Sequence, residues 1–373
     1  MHILLMPDSF KGSLAASEVC LAMEDGIKRA LPTAMVTAFP MADGGEGTIA
    51  VTHASFGGEM VELETINANS EQTLAPVLWL DAETVLIESA TVVGLPNAIP
   101  GTLWDRTTFG LGLLIKEVVS LGAKTVLLGL GGSSTNDGGV GLLMGMGAIL
   151  TDASNVSIPP TLTGLQSLSA IDWSPITQQY AHVRFVGLSD VENPLCGEMG
   201  ASAIYGPQKG LAKDEIASAD QLLGHFGQLM IANGLSPALI KMPGAGAAGG
   251  LGFAIAALGG ELIGGAAWLL AQPIVKQAMK EADWIWTGEG RSDLQTLSGK
   301  LPLQVAKEAR RVNKKVSLLS ASIAEDALTA LSQQFDGCFS IAHGCHELDY
   351  MIANAPQLLQ NQAYQLMRVK LSS

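Results

Sequence analysis

Basic residues are scarce. Only 21 lysines and arginines face 35 aspartates and glutamates, giving a formal charge of -14 and a pI near 4.8. No basic run could follow a phosphate backbone, which argues against a nucleic-acid partner. An anionic ligand would have to be neutralised locally, by a few lysines, backbone N–H groups or a metal. Cysteine is equally sparse: Cys20, Cys196, Cys338 and Cys345 form no Cys-x-x-Cys pair, so neither a disulfide framework nor a zinc ribbon is indicated, and a reducing cytoplasm fits. No G-x-x-x-x-G-K-[ST] occurs, so any nucleotide is held by another device. The N-terminal stretch has no basic head, and its apolar run stops at Pro7 and Asp8, too early for a signal peptide. Glu261 is the only charge between Lys241 and Lys276, but nine glycines from 244 to 265 lower hydrophobicity and helix propensity there. That region reads as a buried Gly-rich loop followed by a core helix, not as a membrane span.

What is present is a βαβ rhythm at both ends. HILLM at 2–6 is a buried strand, 13–30 a helix and MVTAF at 35–39 a second strand. The C-terminal third repeats the alternation with DWIWT (283–287), a helix after Pro302, KVSLLS (315–320), a helix near 324–333, CFSI (338–341) and a final helix. Between them MVELETI, APVLWL and TVLIESA read as consecutive strands, closer to α+β than to alternating βα. The expected architecture is α/β in two domains. Residues 1–60 and 283–373 form a discontinuous parallel domain, 61–282 an inserted α+β domain, and the cleft between them is the expected ligand site.

Five segments share one design, a strand end followed by glycines and ionisable residues: PDSFKGS (7–13), MADGGEGT (41–48), GLGGSSTNDGG (129–139), GLSDVENPL (187–195) and TGEGRSDLQTLSGK (287–300). Such turns let backbone N–H groups form anion nests. Their acids are Asp8, Asp43, Glu46, Asp137, Asp190, Glu289 and Asp293, and the available cations are Lys11, Lys209, Arg291 and Lys300. Acids beside phosphate-sized nests make sense when a divalent cation bridges them to phosphate oxygens, the set of parts phosphoryl transfer requires. Local roles compete with this reading. Asp43 and Glu46 could form a capping box for a helix starting near Gly44, Asp137 could cap the following helix, and Lys300 sits at a helix entry whose dipole it opposes unless an anion is present. GAGAAG at 244–249 matches G-x-G-x-x-G, but Pro237 and Pro243 break the strand that a dinucleotide turn should follow. The cluster Cys338, His343, Cys345 and His346 fits no zinc spacing.

Read together, PDSFKGSL, MADGGEGT, GLGGSSTNDGG, LSDVENPLCG, GPQKG, GAGAAGGLG and DWIWTGEGRSDLQTLSGKLP closely resemble the type I glycerate kinase family, in the family's order from residue 7 to 302. The resemblance implies a Rossmann- or flavodoxin-like domain built from both chain ends plus an inserted domain. It also implies ATP and Mg²⁺ as cofactors, and glycerate phosphorylated mostly to 2-phosphoglycerate. On this reading the ATP phosphates meet the loops at 131–139 and 244–250, through Gly131, Gly132, Ser133, Ser134, Gly246 and Gly249. Lys11 or Lys209 faces the transferring group, and the metal is held by carboxylates among Asp43, Glu46, Glu289 and Asp293, with Asp43 also counted to the substrate. Arg291 or Lys300 meets the glycerate carboxylate, and Asp190 is the expected base. SLLSASI (317–323) and AHGCHEL depart from the family pattern at the C-terminal sheet edge. Two other classes, a non-catalytic hydroxy-acid binder and a nicotinamide oxidoreductase, would use a similar cleft.

Overall fold

The computed structural model describes residues 1–344 and 346–372. In chain order the strands are β1 (His2–Leu5), β2 (Met35–Ala38), β3 (Glu59–Ile66), β4 (Gln72–Trp79), β5 (Thr84–Glu88), β6 (Thr125–Gly129), β7 (Ile149–Thr151), β8 (Ala170–Asp172), β9 (Arg184–Leu188), β10 (Glu261–Ile263), β11 (Trp284–Ser292), β12 (Lys315–Ile323) and β13 (Gly337–Ser340). The chain divides into two compact units: residues 1–43, 50–57 and 265–373 form the first, and 44–49 with 58–264 the second. The bounds differ from a cut at 61–282 because the helices Gly265–Ala271 and Pro273–Glu281 bury Ala266, Leu269, Leu270, Val275 and Met279 in the first unit's core.

The first unit is a five-stranded, all-parallel sheet in the order β13-β12-β11-β1-β2. Alternate residues of its strands feed two cores. Ile3, Leu5, Trp286 and Leu319 share one with the helices Ala16–Ala30 and Leu348–Ser372, while Leu4, Ile285, Val316 and Leu318 share the other with the helix Leu301–Arg311 and its neighbours. A sheet covered on both faces explains why its strands read as apolar runs. The strand order reverses between β1 and β11, the flavodoxin-type arrangement in which the crevice outside the carboxyl ends of these two strands is the ligand position. DWIWT is only the start of β11. The strand continues through Gly288, Glu289, Gly290 and Arg291 to Ser292, paired with β12 as far as Ile323, so the expected loop is a sheet extension that carries Glu289 and Arg291.

The second unit has a six-stranded mixed sheet ordered β10-β9-β6-β5-β4-β3. β3, β4 and β5 are antiparallel neighbours, as the run of consecutive strands leads one to expect, and β5, β6, β9 and β10 are parallel. The small pair β7-β8 lies in the same unit. Among the described residues no helix is long and apolar enough to cross a membrane, and residues 244–257 are the expected buried glycine turn and core helix.

Candidate active site

In the first unit, backbone pairing continues past β1, with Met6 N–H donating to Trp286 O (2.7 Å) and Asp8 N–H to Gly288 O (2.9 Å). This fixes Asp8 at the β1/β11 reversal, where it is half-buried and accepts from Ser9 N–H at 2.6 Å. Burial lifts its carboxyl to about 7; the Asp43 charge adds to the rise, Ser9 N–H and the Lys11 charge oppose it, and Glu289 adds a smaller push. Lys11 follows on a turn, its ammonium 3.4 Å from Asp43. On β11, Glu289 is buried. Its Oε1 accepts from Ser292 Oγ (2.9 Å) and Thr296 Oγ1 (2.6 Å), and its Oε2 lies 3.7 Å from Lys300 Nζ. Asp293 caps the turn Leu294–Ser298 by accepting from Gln295 N–H, and lies 3.7 Å from Arg291 and 3.8 Å from Lys300. Lys300 is the N-cap of the helix Leu301–Arg311, so these two carboxylates already offset its unfavourable position on the helix dipole.

In the second unit the chemistry-bearing segments lie at the carboxyl ends of β5, β6 and β9. Glu88, the last residue of β5, is 3% exposed. Its oxygens accept from Gly47 N–H (2.9 Å) and Ile49 N–H (3.0 Å), so Glu88 receives these two donors at the start of the helix Thr48–Phe56. Burial raises its carboxyl, against the N–H groups it accepts from. Glu46 stands exposed on the turn. Gly131 N–H donates to Gly44 O (3.1 Å), and a Cβ on Gly131 would fall 2.4 Å from Gly45 Cα, so this glycine lets the turns 44–49 and 131–139 lie in contact. Gly132 is exposed, whereas Ser133, Ser134, Thr135 and Asn136 are buried. Ser134 Oγ, Thr135 Oγ1 and Asn136 Oδ1 have no hydrogen-bond partner among the described residues. Asp137 accepts from Gly139 N–H (3.1 Å) and Gly141 N–H (3.3 Å), the helix-capping role open to it in the sequence. Asp190 is exposed on the coil after β9.

Lys209 is only 5% exposed, and its ammonium donates to Ser133 Oγ (3.0 Å) and Thr135 O (2.8 Å). Of the two lysines expected near a transferring phosphate, this one is committed to holding the 131–139 turn, and Lys11 is the accessible one. Arg106, which carries no motif, completes the support: its guanidinium donates to Ser134 O, Lys209 O and Ile99 O. Gly246 and Gly249, expected to receive phosphates, are buried packing positions. A Cβ on Gly246 would lie 2.2 Å from Pro194 O, and one on Gly249 would lie 2.1 Å from Thr135 O.

Burial holds the Lys209 ammonium down to about 7, with the Asp137 charge resisting and the Arg106 charge assisting. In the unfolded chain the same group keeps its proton to about 10.4. Between these values the unfolded state binds more protons, so the contribution of Lys209 to stability rises with pH. The melting-temperature difference between wild type and Lys209→Met should therefore shift in favour of wild type from pH 7 to 9.5. A difference constant over that range would show that burial does not depress this ammonium.

Glu88 and Arg106 were missed by sequence reading. A lone glutamate ending the apolar strand TVLIE was a usable signal for the first; the second had none. Among the described residues, no group of three or more His, Cys, Asp or Glu side chains is disposed to hold a metal, and Cys345 of the CFSIAHGCH stretch lies outside them.

Acids and ammonium groups set at parallel strand ends beside glycine turns are the kinds of group a phosphotransferase uses. Known proteins agree. The model of the glycerate kinase family matches residues 3–371. A glycerate kinase of Haemophilus influenzae is 36% identical over 375 residues, covering 99% of this chain and 98% of that protein, and a glycerate 2-kinase of Escherichia coli K12 is 36% identical over 354 residues, covering 94% and 92%. The crystal structure of a provisionally assigned glycerate kinase 2 from Salmonella typhimurium LT2 superposes with a TM-score of 0.84 at 34% identity, covering 100% of this chain and 98% of that one. The chain belongs to the glycerate kinase family, enzymes whose phosphoryl acceptor is an alcohol.

Proposed function

We propose that the protein transfers the γ-phosphoryl group of ATP to the 2-hydroxyl of glycerate, releasing ADP and 2-phosphoglycerate. Family membership over nearly the whole chain carries this reading, and the E. coli relative's designation as a 2-kinase favours the 2-hydroxyl over the 3-hydroxyl. The exposed Gly132 is where the turn 131–139 meets nucleotide phosphates, since Gly131 N–H is already given to Gly44 O and Ser134 and Thr135 are buried beneath it. Lys209 and Arg106 hold that turn in shape. Lys11 supplies positive charge to the transferring group, and Arg291 recognises the glycerate carboxylate.

A magnesium ion is proposed with the nucleotide. The lack of an all-protein cage among the described residues suits an ion that takes one or two carboxylates and completes its octahedron with phosphates and waters. Glu289 has its oxygens engaged with Ser292, Thr296 and Lys300, and Asp293 has its own engaged with Gln295 N–H, Lys300 and Arg291, so the exposed Glu46 is the candidate carboxylate. Bound there, the ion would neutralise triphosphate charge.

The reading is tested by an ADP-release assay with glycerate and ATP, followed by phosphorus NMR of the product. ADP release that depends on glycerate, with the phosphate on C2, is the expected result; nicotinamide reduction or binding without turnover would replace it with another class. Arg291→Ala should raise the KM for glycerate by roughly 10–100-fold with kcat nearly unchanged, as loss of uniform carboxylate binding requires. An unchanged KM would transfer that role to Lys300.

A further inference from the structure

Sequence order favours Asp190 as the base, because it stands in a motif with no cation of its own. The structure places a second acid in a better position. Asp8 lies where the strand order of the first unit reverses, at the carboxyl end of β1 and beside β11, the position at which open parallel sheets bind their ligands. It lies on the coil that follows β1, where its own N–H donates to Gly288 O of β11 and its side chain is half-buried, whereas Asp190 is exposed on the coil after β9.

We infer that Asp8, not Asp190, is the catalytic residue that takes the proton from the glycerate hydroxyl; this rests on the glycerate kinase reading above. In the step, the hydroxyl oxygen bonds to the γ-phosphorus of ATP while its proton passes to a carboxylate oxygen of Asp8. The bond from the γ-phosphorus to the β–γ bridging oxygen breaks, and ADP leaves with that electron pair. Asp8 then returns the proton to solvent.

The surroundings suit the task. The charged groups facing Asp8 are Lys11 on its own turn, Asp43 from the segment after β2, and Glu289 on β11. Lys11, the cation of the three, makes its ion pair with Asp43, and the two acids Asp43 and Glu289 can only raise the proton affinity of Asp8. Burial keeps its proton affinity near neutrality, where a general base combines availability with driving force.

The test uses the full-length protein with Asp8→Asn, Asp8→Glu and Asp190→Asn, assayed from pH 5.5 to 8.5 with saturating ATP and magnesium. Wild type should gain kcat/KM for glycerate about tenfold per pH unit on the acid side and level off around pH 7. Asp8→Asn should lower kcat roughly a thousandfold, leave KM values within a few-fold and flatten the acid limb. Asp8→Glu should recover part of the rate with the limb restored, and Asp190→Asn should keep the limb. Difference infrared titration of the ligand-free protein gives a readout apart from turnover: a carboxyl titrating near pH 7 in wild type and absent from Asp8→Asn. The inference is overturned if Asp190→Asn removes the limb, if Asp8→Asn stays within tenfold of wild-type kcat, if it chiefly raises the magnesium requirement, or if no carboxyl titrates near neutrality. A wild-type protein without glycerate-dependent ADP release would instead defeat the parent reading.

Discussion

Lys11→Ala should lower kcat/KM by about 10²–10³-fold, the range found when one preorganised positive or hydrogen-bonding group is removed from developing phosphoryl charge. Lys11 is suited to that effect because its side chain is 78% exposed while the turn after β1 and the Asp43 carboxylate, 3.4 Å away, restrict where its ammonium goes. The Asp43 charge raises its pKa, burial acts against this, and Asp8 adds to the rise, so the group stays protonated at every pH at which the enzyme would be assayed. Lys11→Arg should recover part of the loss, since charge is kept while the compact ammonium is replaced by a planar fork. The loss should fall mainly on kcat, because the interaction strengthens as the phosphoryl group transfers. Steady-state kinetics with glycerate and ATP varied separately decides the matter. A change confined to the KM for glycerate would make Lys11 a ground-state binding residue.

Asp137→Ala should destabilise the second unit by about 4 kcal/mol, which for a unit of this size lowers its melting temperature by roughly 10 °C. The Asp137 carboxylate is fully buried. It accepts from Thr108 N–H (2.9 Å), Thr108 Oγ1–H (2.7 Å), Gly139 N–H and Gly141 N–H. Thr108 Oγ1 in turn accepts from Leu142 N–H at 2.8 Å, so one acid ties the segment before the helix Phe109–Ser120 to the start of the helix Val140–Met146. Burial nevertheless raises its pKa, with those donors pulling the other way. Alanine would leave three buried N–H groups without an acceptor, each costing about 1–3 kcal/mol. Asp137→Asn, which keeps one carbonyl oxygen, should lose less. Calorimetry reads both, and an alanine variant that melts with wild type would show that water replaces the carboxylate.

The sequence made the elements and their chemistry legible wherever the signal is local. The apolar runs of β1, β12 and β13, the antiparallel series β3 to β5 and the strand-end glycine segments all follow from periodicity and turn composition within a few residues. Asp137 as a cap was legible too, because its partners Gly139 and Gly141 lie two and four residues away. The length of β11 was not: Gly-Glu-Gly-Arg-Ser has no strand character of its own, and only pairing with β12 extends it.

The same division runs through the site. Residue types and their order determined that this chain carries acids, a few cations and phosphate-sized turns, because those are properties of short stretches. Tertiary structure alone decided which of them work together. Glu88 caps a turn 41 residues before it, Lys209 supports a serine 76 residues before it, and Asp8 meets its neighbours at a reversal of strand order that exists only once β11 has inserted beside β1. Charges and donors act over a few ångströms in space, and the chain brings distant segments to that range only by burying its cores.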